Sequence, residues 1–302
     1  MPASDEVGYT GRFAPSPTGP LHFGSLMAAV ASYLEARVNR GRWLVRIEDI
    51  DPPREQPGAD LDIIRMLEAY GFEWDGPVLY QSRSGEQHRK ALEALAAAHL
   101  TYRCSCSRRK LADEPHGPLG AIYPGTCRDR QVTGDAATRV RTDDRVIRLE
   151  DRLQGVQEHR LESESGDFVV LRRDGLIAYQ LAVVVDDWLN GVTDIVRGID
   201  LIDSTPRQIY LQQRLDLPTP DYAHIPVAEH PDGSKLSKLT GAAPITVAGA
   251  ASTLVACLAA LQQQPPEELQ DASLEAIWAW GQENWAIGRM RDMRNIAVQH
   301  YC

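Results

Sequence analysis

The chain of 302 residues has no hydrophobic run of the length that crosses a bilayer. Its longest apolar stretch, 247–261, is rich in alanine and is interrupted by glycine and serine, so it falls short of the roughly 18 residues that a membrane-spanning helix needs. The chain also begins without the basic segment followed by an apolar one that marks a secretory signal. We therefore predict a cytoplasmic protein that does not contact a membrane.

Cysteine is scarce, and five residues are an odd number, which argues against a disulfide framework. Three of the five, Cys104, Cys106 and Cys127, lie within one short segment and favour a metal site. A closed structural zinc site normally has a fourth ligand, and His116 is a chemically easy choice for it. The alternative is three reduced cysteines in a loop without a metal.

Acidic residues outnumber basic ones by 42 to 32, for a net charge of −10, and hydrophobic residues make up 43% of the chain. This composition is typical of a globular protein and excludes disorder as its main state. Segment 101–148 differs, because it holds ten basic and six acidic residues. A local positive face can bind RNA phosphates, although solvated arginines in a loop would have the same composition.

The hydrophobic pattern predicts an α/β fold. A strand at 8–14, a helix at 25–39 and a strand at 43–47 form a βαβ unit. The same criteria predict further helices at 59–70, 86–99, 206–215, 246–263 and 273–287, and short strands at 146–149, 168–171 and 193–196.

A first motif, RFAPSPTGPLHFGS at 12–25, lies between the first strand and the first helix. Its prolines stiffen the turn, and Gly19 and Gly24 allow the backbone to approach a ligand closely. The free N–H groups of a helix N-terminus bind phosphate, and His22 can add a donor to the same anion. The motif predicts a nucleotide site.

A second motif, GSKLSKL at 233–239, places Lys235 and Lys238 three residues apart. Lysines in a flexible, glycine-containing segment can follow the charge that develops on a leaving pyrophosphate. The motif is weak by itself, and its value comes from its occurrence together with the first one.

The two motifs resemble the HIGH and KMSKS signatures of class I aminoacyl-tRNA synthetases. The strings RIEDID at 46–51, YQS at 80–82, VRGIDLI at 196–202 and STPRQ at 204–208 are more narrowly similar to the glutamyl branch of that family. The resemblance covers roughly residues 9–240. Ser25 departs from it, because other class I enzymes have a second histidine there.

This resemblance implies a fold and a domain organisation. We expect a Rossmann-type parallel sheet in two halves, 8–100 and 176–225, divided by a zinc-bearing insertion at 101–175. A lysine-motif loop and a short helical region, 226–302, would follow. Within the insertion, the resemblance implies Tyr123 as the fourth zinc ligand beside Cys104, Cys106 and Cys127, although a phenolate is an unusual ligand.

Only 63 residues follow Leu239, and they contain three arginines, six acidic residues and, from Thr240 onward, no lysine. We therefore expect no anticodon-binding domain and a match to a shortened paralogue of the glutamyl enzymes, to which segment 175–187 is also similar. That resemblance implies a monomer that activates L-glutamate with ATP and Mg²⁺. It further implies transfer of the glutamate to the queuosine base in the anticodon of tRNA(Asp).

Glutamate carries two carboxylates and one ammonium, so its pocket needs cationic donors and one anion. Arg12 and Arg197 are the natural carboxylate partners, and Glu48 is the natural ammonium partner. With the neutral groups that the resemblance adds, the predicted glutamate site is Arg12, Phe13, Ala14, Pro15, Ser16, Glu48, Tyr179 and Arg197. The predicted ATP site is Thr18, His22, Gly24 and Lys238, and the catalytic residues are His22, Lys235 and Lys238.

Three other functions remain open at this level. The chain could be a minimal glutamyl-tRNA synthetase that charges the 3′ end of tRNA(Glu), or a non-catalytic module that binds RNA or a nucleotide. A glutaminyl enzyme is a weaker alternative, since Arg12 favours an acid over an amide.

Overall fold

The computed structural model describes residues 8–107, 109–230, 236 and 243–298. Its α-helices are α1 (Phe23–Val38), α2 (Ala59–Ala69), α3 (Gly85–Ala97), α4 (Leu161–Glu164), α5 (Tyr179–Leu189), α6 (Thr205–Arg214), α7 (Ala250–Ala260) and α8 (Leu274–Asn284). Its strands are β1 (Thr10–Phe13), β2 (Arg42–Ile47), β3 (Leu79–Tyr80), β4 (Thr101–Cys104), β5 (His116–Gly117), β6 (Gly120–Ala121), β7 (Ala137–Val140), β8 (Val146–Asp151), β9 (Gly155–Arg160), β10 (Phe168–Leu171), β11 (Asp194–Gly198), β12 (Asp221–Ile225), β13 (Val227–Glu229) and β14 (Asn295–Ala297).

The predicted βαβ unit is confirmed. β1 pairs in parallel with β2, with Arg12 opposite Leu44, and β3 extends the sheet on the other side of β2. The connecting helix α1 is buried along most of its length, because the sheet covers one side of it and α7 and α8 cover another. The first motif therefore lies at the carboxyl end of β1, where α/β folds bind their ligands.

The second half of the parallel sheet is formed by β11 and β12, with Arg197 opposite His224. The backbone N–H of Thr193 donates to the carbonyl oxygen of Thr10 at 3.0 Å, which joins this half to β1. The expected parallel sheet is thus present, but β8 lies beside β12 and carries β9 as an antiparallel neighbour. The sheet is therefore mixed at this edge.

Segment 101–175, expected as an insertion, is divided between two places. Strands β4, β7 and β10 form an antiparallel sheet of their own, which carries the small hairpin β5–β6 and the cysteine cluster. The β8–β9 hairpin belongs instead to the catalytic sheet. Its Asp151 pairs with Tyr222 of β12.

The C-terminal helices pack directly on the catalytic body. The indole N–H of Trp278 donates to the carbonyl oxygen of Tyr70 at 2.9 Å, and its ring packs edge-on against Tyr33 and Phe72. β14 returns to pair in parallel with β13. Cys257 is fully buried on α7.

Within the described ranges, every helix is too short or too polar to cross a membrane.

Candidate active site

The predicted glutamate and ATP residues that the structure describes surround one cavity of about 640 Å³ at the carboxyl end of the parallel strands. They are Arg12, Phe13, Ala14, Pro15, Ser16, Thr18, His22, Gly24, Glu48, Tyr179 and Arg197. Lys235 and Lys238 lie outside the described residues. Leu236, which follows Lys235 in the sequence, lines the same cavity, and its N–H donates to the carbonyl oxygen of Ala228 at 2.8 Å.

The N-terminus of α1 opens into this cavity. His22 is its N-cap, and the imidazole Nδ1 accepts from the backbone N–H of Ser25 at 3.3 Å. Since Nδ1 accepts, Nε2 carries the proton of the neutral ring and donates to the Ser25 hydroxyl at 3.1 Å. Ser25, the departure from the class I signature, is therefore the residue that orients His22.

Gly24 provides space beside that imidazole. A Cβ at this position would lie 3.2 Å from the His22 ring and 3.6 Å from the carbonyl oxygen of Leu236. The segment after the second motif also returns to the first one, because the N–H of Ile245 donates to the carbonyl oxygen of Leu21 at 3.0 Å. The two motifs thus approach each other at the first turn of α1.

Beneath the cavity floor lies a network of four charged groups: Arg12, Arg46, Glu48 and Asp187. The Asp187 carboxylate accepts from Arg12 Nε at 3.1 Å and pairs with Arg46 Nη1 at 2.8 Å. Arg46 Nη2 lies 3.4 Å from Glu48 Oε1. All four side chains are at least nine-tenths buried. Sequence reasoning found Arg12 and Glu48 but missed the two residues that hold them, although Arg46 and Asp187 both lie inside the strings quoted for the resemblance.

The two carboxyl groups of this network have opposite pKa shifts. Burial raises the pKa of Glu48 above its ordinary value of 4.5, even though Arg46 and Arg12 act in the other direction. Burial also disfavours the Asp187 carboxylate, but Arg12 and Arg46 outweigh it and hold its pKa below the ordinary value. Asp187 is therefore the stable counter-ion of the two arginines. The ionised form of Glu48 is disfavoured by burial, and a cation of a ligand would stabilise it.

Arg197, on β11, also lines the cavity. Its Nε donates to His224 Nε2 at 3.1 Å, and its Nη2 donates to Thr205 and Gln208, both at 2.8 Å. Sequence reasoning missed these three partners, because they come from β12 and α6 and none is charged. Tyr179, at the start of α5, also faces the cavity, and burial raises the pKa of its phenol.

The predicted zinc ligands converge at a second place, on the β4–β7–β10 sheet. The Sγ atoms of Cys104, Cys106 and Cys127 lie within 4.8 Å of one another, which suits three thiolates around one tetrahedral zinc ion. The Tyr123 hydroxyl is 3.3 Å from Cys104 Sγ and accepts from the backbone N–H of Cys127 at 2.9 Å. His116 is exposed and does not belong to this group of ligand atoms.

Arg139 packs against the cysteine cluster. Its guanidinium carbon lies 3.8 Å from the centre of the Tyr123 ring, and its Nε is 3.3 Å from Cys104 Sγ. The pKa of Cys127 is lowered to about 7, because hydrogen bonds from Ser105, Tyr123 and Cys106 outweigh its burial. The donor set fits zinc, and the cluster would hold it as a structural ion away from the cavity.

The fold and the cavity define a class I synthetase, and comparison with known families agrees. Residues 9–248 match the model of the catalytic domain of class I tRNA synthetases for glutamate and glutamine (E and Q). The chain belongs to this family and is a ligase-type enzyme. Membership implies an amino acid, ATP with Mg²⁺ and tRNA as reactants.

Within the family, the chain groups with the glutamyl-Q tRNA(Asp) synthetases. It is 51% identical to the protein of that name from Pseudomonas fluorescens over 94% of both chains. It is 54% identical to the one from Dechloromonas aromatica over 92% of this chain and 94% of the relative. A solved glutamate–tRNA synthetase from Elizabethkingia anophelis superposes with a TM-score of 0.79 at 22% identity, covering 96% of this chain and 68% of that one. That likeness concerns the fold.

Proposed function

We propose that the chain activates L-glutamate with ATP as glutamyl-adenylate and transfers the glutamate to the queuosine base in the anticodon of tRNA(Asp). The names of relatives that match over more than nine-tenths of both chains support queuosine of tRNA(Asp) as the acceptor of the glutamate. The assignment of glutamate as the amino acid rests on the charged residues of the cavity wall. Arg12 and Arg197 line the cavity together with Glu48, and Arg54 and Asp200 line it as well, so it offers cationic donors for carboxylates and an anion for an ammonium.

The proposed binding mode follows from these charges. The ammonium of glutamate pairs with Glu48, which regains in that pair the stabilisation that burial removes. Arg197 binds the side-chain carboxylate of glutamate. Arg12, which Asp187 holds in place, lies beside that carboxylate. The remaining carboxylate is then free to react with the nucleotide.

The first step needs no covalent intermediate on the protein. A carboxylate oxygen attacks the α-phosphorus of ATP, the bond to the bridging oxygen breaks, and pyrophosphate leaves with its electron pair. His22 and the N–H groups at the start of α1 would hold the phosphates, and Lys235 and Lys238 would offset the charge on the leaving group. In the second step, a hydroxyl of the queuosine ring attacks the acyl carbon, gives up its proton, and displaces AMP.

Zinc would have a structural role in this scheme. Cys104, Cys106, Cys127 and Tyr123 would hold it and fix the β4–β7–β10 sheet, whose surroundings carry the excess of basic residues in 101–148. We propose that this face contacts tRNA phosphates, and we retain the expectation of a cytoplasmic monomer.

The test measures transfer of labelled glutamate to tRNA(Asp) with and without queuosine, and to tRNA(Glu), each with an intact and a blocked 3′ end. Labelling should require queuosine and survive the 3′ block. Labelling of tRNA(Glu) that the block abolishes would replace this proposal with a minimal glutamyl-tRNA synthetase. Arg197→Met should be inactive, whereas Arg65→Met, at an exposed arginine of α2 outside both the cavity and segment 101–148, should retain activity.

A further inference from the structure

Arg197 is a buried cation without an anionic partner among the described residues. Its side chain is only 4% exposed, yet it forms no ion pair with any carboxylate in that part of the chain. Arg12, which lines the same cavity, pairs with the carboxylate of Asp187 instead. The charge of Arg12 is therefore compensated by Asp187, whereas no carboxylate among the described residues compensates that of Arg197.

Every acceptor that Arg197 contacts is a neutral group. His224 Nε2 accepts from its Nε, and the Thr205 hydroxyl and the Gln208 carbonyl oxygen accept from its Nη2. Its Nη1 is buried and has no hydrogen-bond partner within the described residues. A buried charge held only by neutral groups is costly unless a ligand completes it. Arg197 also lines the cavity, so a ligand there can provide the missing anion.

His224 stays neutral because it is buried. It is completely buried, and burial lowers its pKa to about 4, so the ring is uncharged at neutral pH. Since Nε2 accepts from Arg197, Nδ1 must carry the proton, and it donates to Asp151 Oδ2 at 2.5 Å. Asp151, at the end of β8, also accepts from the backbone N–H of His224.

We propose that His224 is a positioning residue for the amino-acid carboxylate: it holds Arg197 through a neutral acceptor, fixed in one tautomer by Asp151, and so leaves the charge of Arg197 for the substrate. This inference rests on the proposed function, in which Arg197 binds the side-chain carboxylate of glutamate. His224 and Asp151 are absent from the cavity wall, so they act on a bound ligand through Arg197.

The arrangement also determines the choice between an acid and an amide. If a carboxylate of the protein stood in the place of His224, it would neutralise Arg197, and a neutral amide would then bind about as well as an acid. With a neutral acceptor, the cation remains uncompensated until a carboxylate binds. A glutamine side chain would leave the buried charge unpaired, so the site favours glutamate.

The test compares the wild type with His224→Asn, His224→Gln and Asp151→Asn in glutamate-dependent ATP–pyrophosphate exchange. Asparagine lacks an acceptor at the position of Nε2, whereas glutamine places its Oε1 there. In Asp151→Asn the side-chain amide can donate to Nδ1 of His224, so the ring proton moves to Nε2. The N–H at Nε2 and the Nε–H of Arg197 would then be two donors that face each other. His88→Asn is the matched control, because His88 is equally buried and pairs with Asp186 at 3.0 Å but does not touch Arg197.

We expect His224→Asn and Asp151→Asn to raise the KM for glutamate about tenfold or more, with the KM for ATP unchanged, and His224→Gln to restore most of the loss. Discrimination against glutamine should fall in the same two variants. A glutamate KM within about twofold of wild type in His224→Asn, or an equal rise in both KM values, would overturn the inference while leaving the proposed function intact. Absence of glutamate-dependent exchange in the wild type would instead overturn the proposed function and, with it, this inference.

Discussion

Arg12 and Asp187 form a buried ion pair across 175 positions of sequence, with Arg12 Nε 3.1 Å from Asp187 Oδ1. The pair joins β1, which leads into the first motif, to α5, which follows the inserted sheet. Arg46 completes it from β2, with Nη1 2.8 Å from the same oxygen. The floor of the cavity is therefore assembled from both halves of the catalytic domain.

Asp187→Asn should destabilise the protein strongly. The change leaves two buried arginines with Glu48 as their only remaining anion in this network, and breaking a buried pair from one side costs about 3–5 kcal/mol. Denaturant unfolding measures this directly. Asp62→Asn is the matched control, because its pair with Arg65 is exposed and its loss should leave stability unchanged. Similar midpoints for the two variants would contradict the role of Asp187.

Glu48→Gln should lose activity without losing stability. At neutral pH the unfolded chain has an ionised Glu48, whereas the folded chain raises its pKa, so ionisation of this residue disfavours folding. Removing the charge removes that cost, but also the partner of the substrate ammonium, and kcat/KM should fall about tenfold to a hundredfold. A variant that melts well below the wild type would show that Glu48 stabilises the fold.

The raised pKa of Glu48 also predicts a pH dependence. Below that pKa the group is protonated and no longer attracts an ammonium. The KM for glutamate should therefore rise as pH falls, beginning at a higher pH than an ordinary glutamate with a pKa near 4.5 would give. A pH profile of the glutamate KM in the exchange reaction checks this, and a KM that stays constant through the mildly acidic range would contradict it.

The cysteine cluster should hold about one zinc ion per chain, in keeping with a closed four-ligand site. Cys106→Ser should abolish stoichiometric zinc and Tyr123→Phe should weaken its retention, both measured by metal analysis after dialysis against a chelator. His116→Ala should retain zinc like the wild type, because His116 lies outside the ligand group. Loss of zinc in His116→Ala, with retention in Tyr123→Phe, would reverse the assignment of the fourth ligand.

We expect the Nε2–H of His22, which donates to the Ser25 hydroxyl in this structure, to turn to the phosphates when ATP binds, so His22→Ala should slow adenylate formation about a hundredfold. The KM for glutamate should change little, since the proposed function assigns His22 to the ATP phosphates and not to glutamate. Ser25→Ala, which removes the partner that orients the imidazole, should produce a smaller decrease in the same direction. An unchanged exchange rate in both variants would remove His22 from the catalytic residues.

Most helices could be predicted because their hydrophobic spacing and end signals are local. The helix predicted at 25–39 is observed at Phe23–Val38, and the one predicted at 59–70 at Ala59–Ala69. The helix predicted at 246–263 is shorter, Ala250–Ala260, because Gly249 takes a left-handed conformation, with φ of 86°, at its start. Segment 179–189 has valines that suit a strand, but it folds as α5, since burial between neighbouring elements outweighs that local preference.

The sequence by itself indicated which residues line the cavity, because they lie in short strings that resemble those of a known family and carry the charges that glutamate and ATP need. It also determined the three thiolates of the cysteine cluster. The resemblance also implied Tyr123, which lies beside the thiolates. Only the tertiary structure decided which groups hold the two arginines: Asp187 for Arg12, and His224 and Asp151 for Arg197. These partners come from different strands and helices, and a contact between distant segments depends on how a sheet registers and packs, which no local pattern encodes.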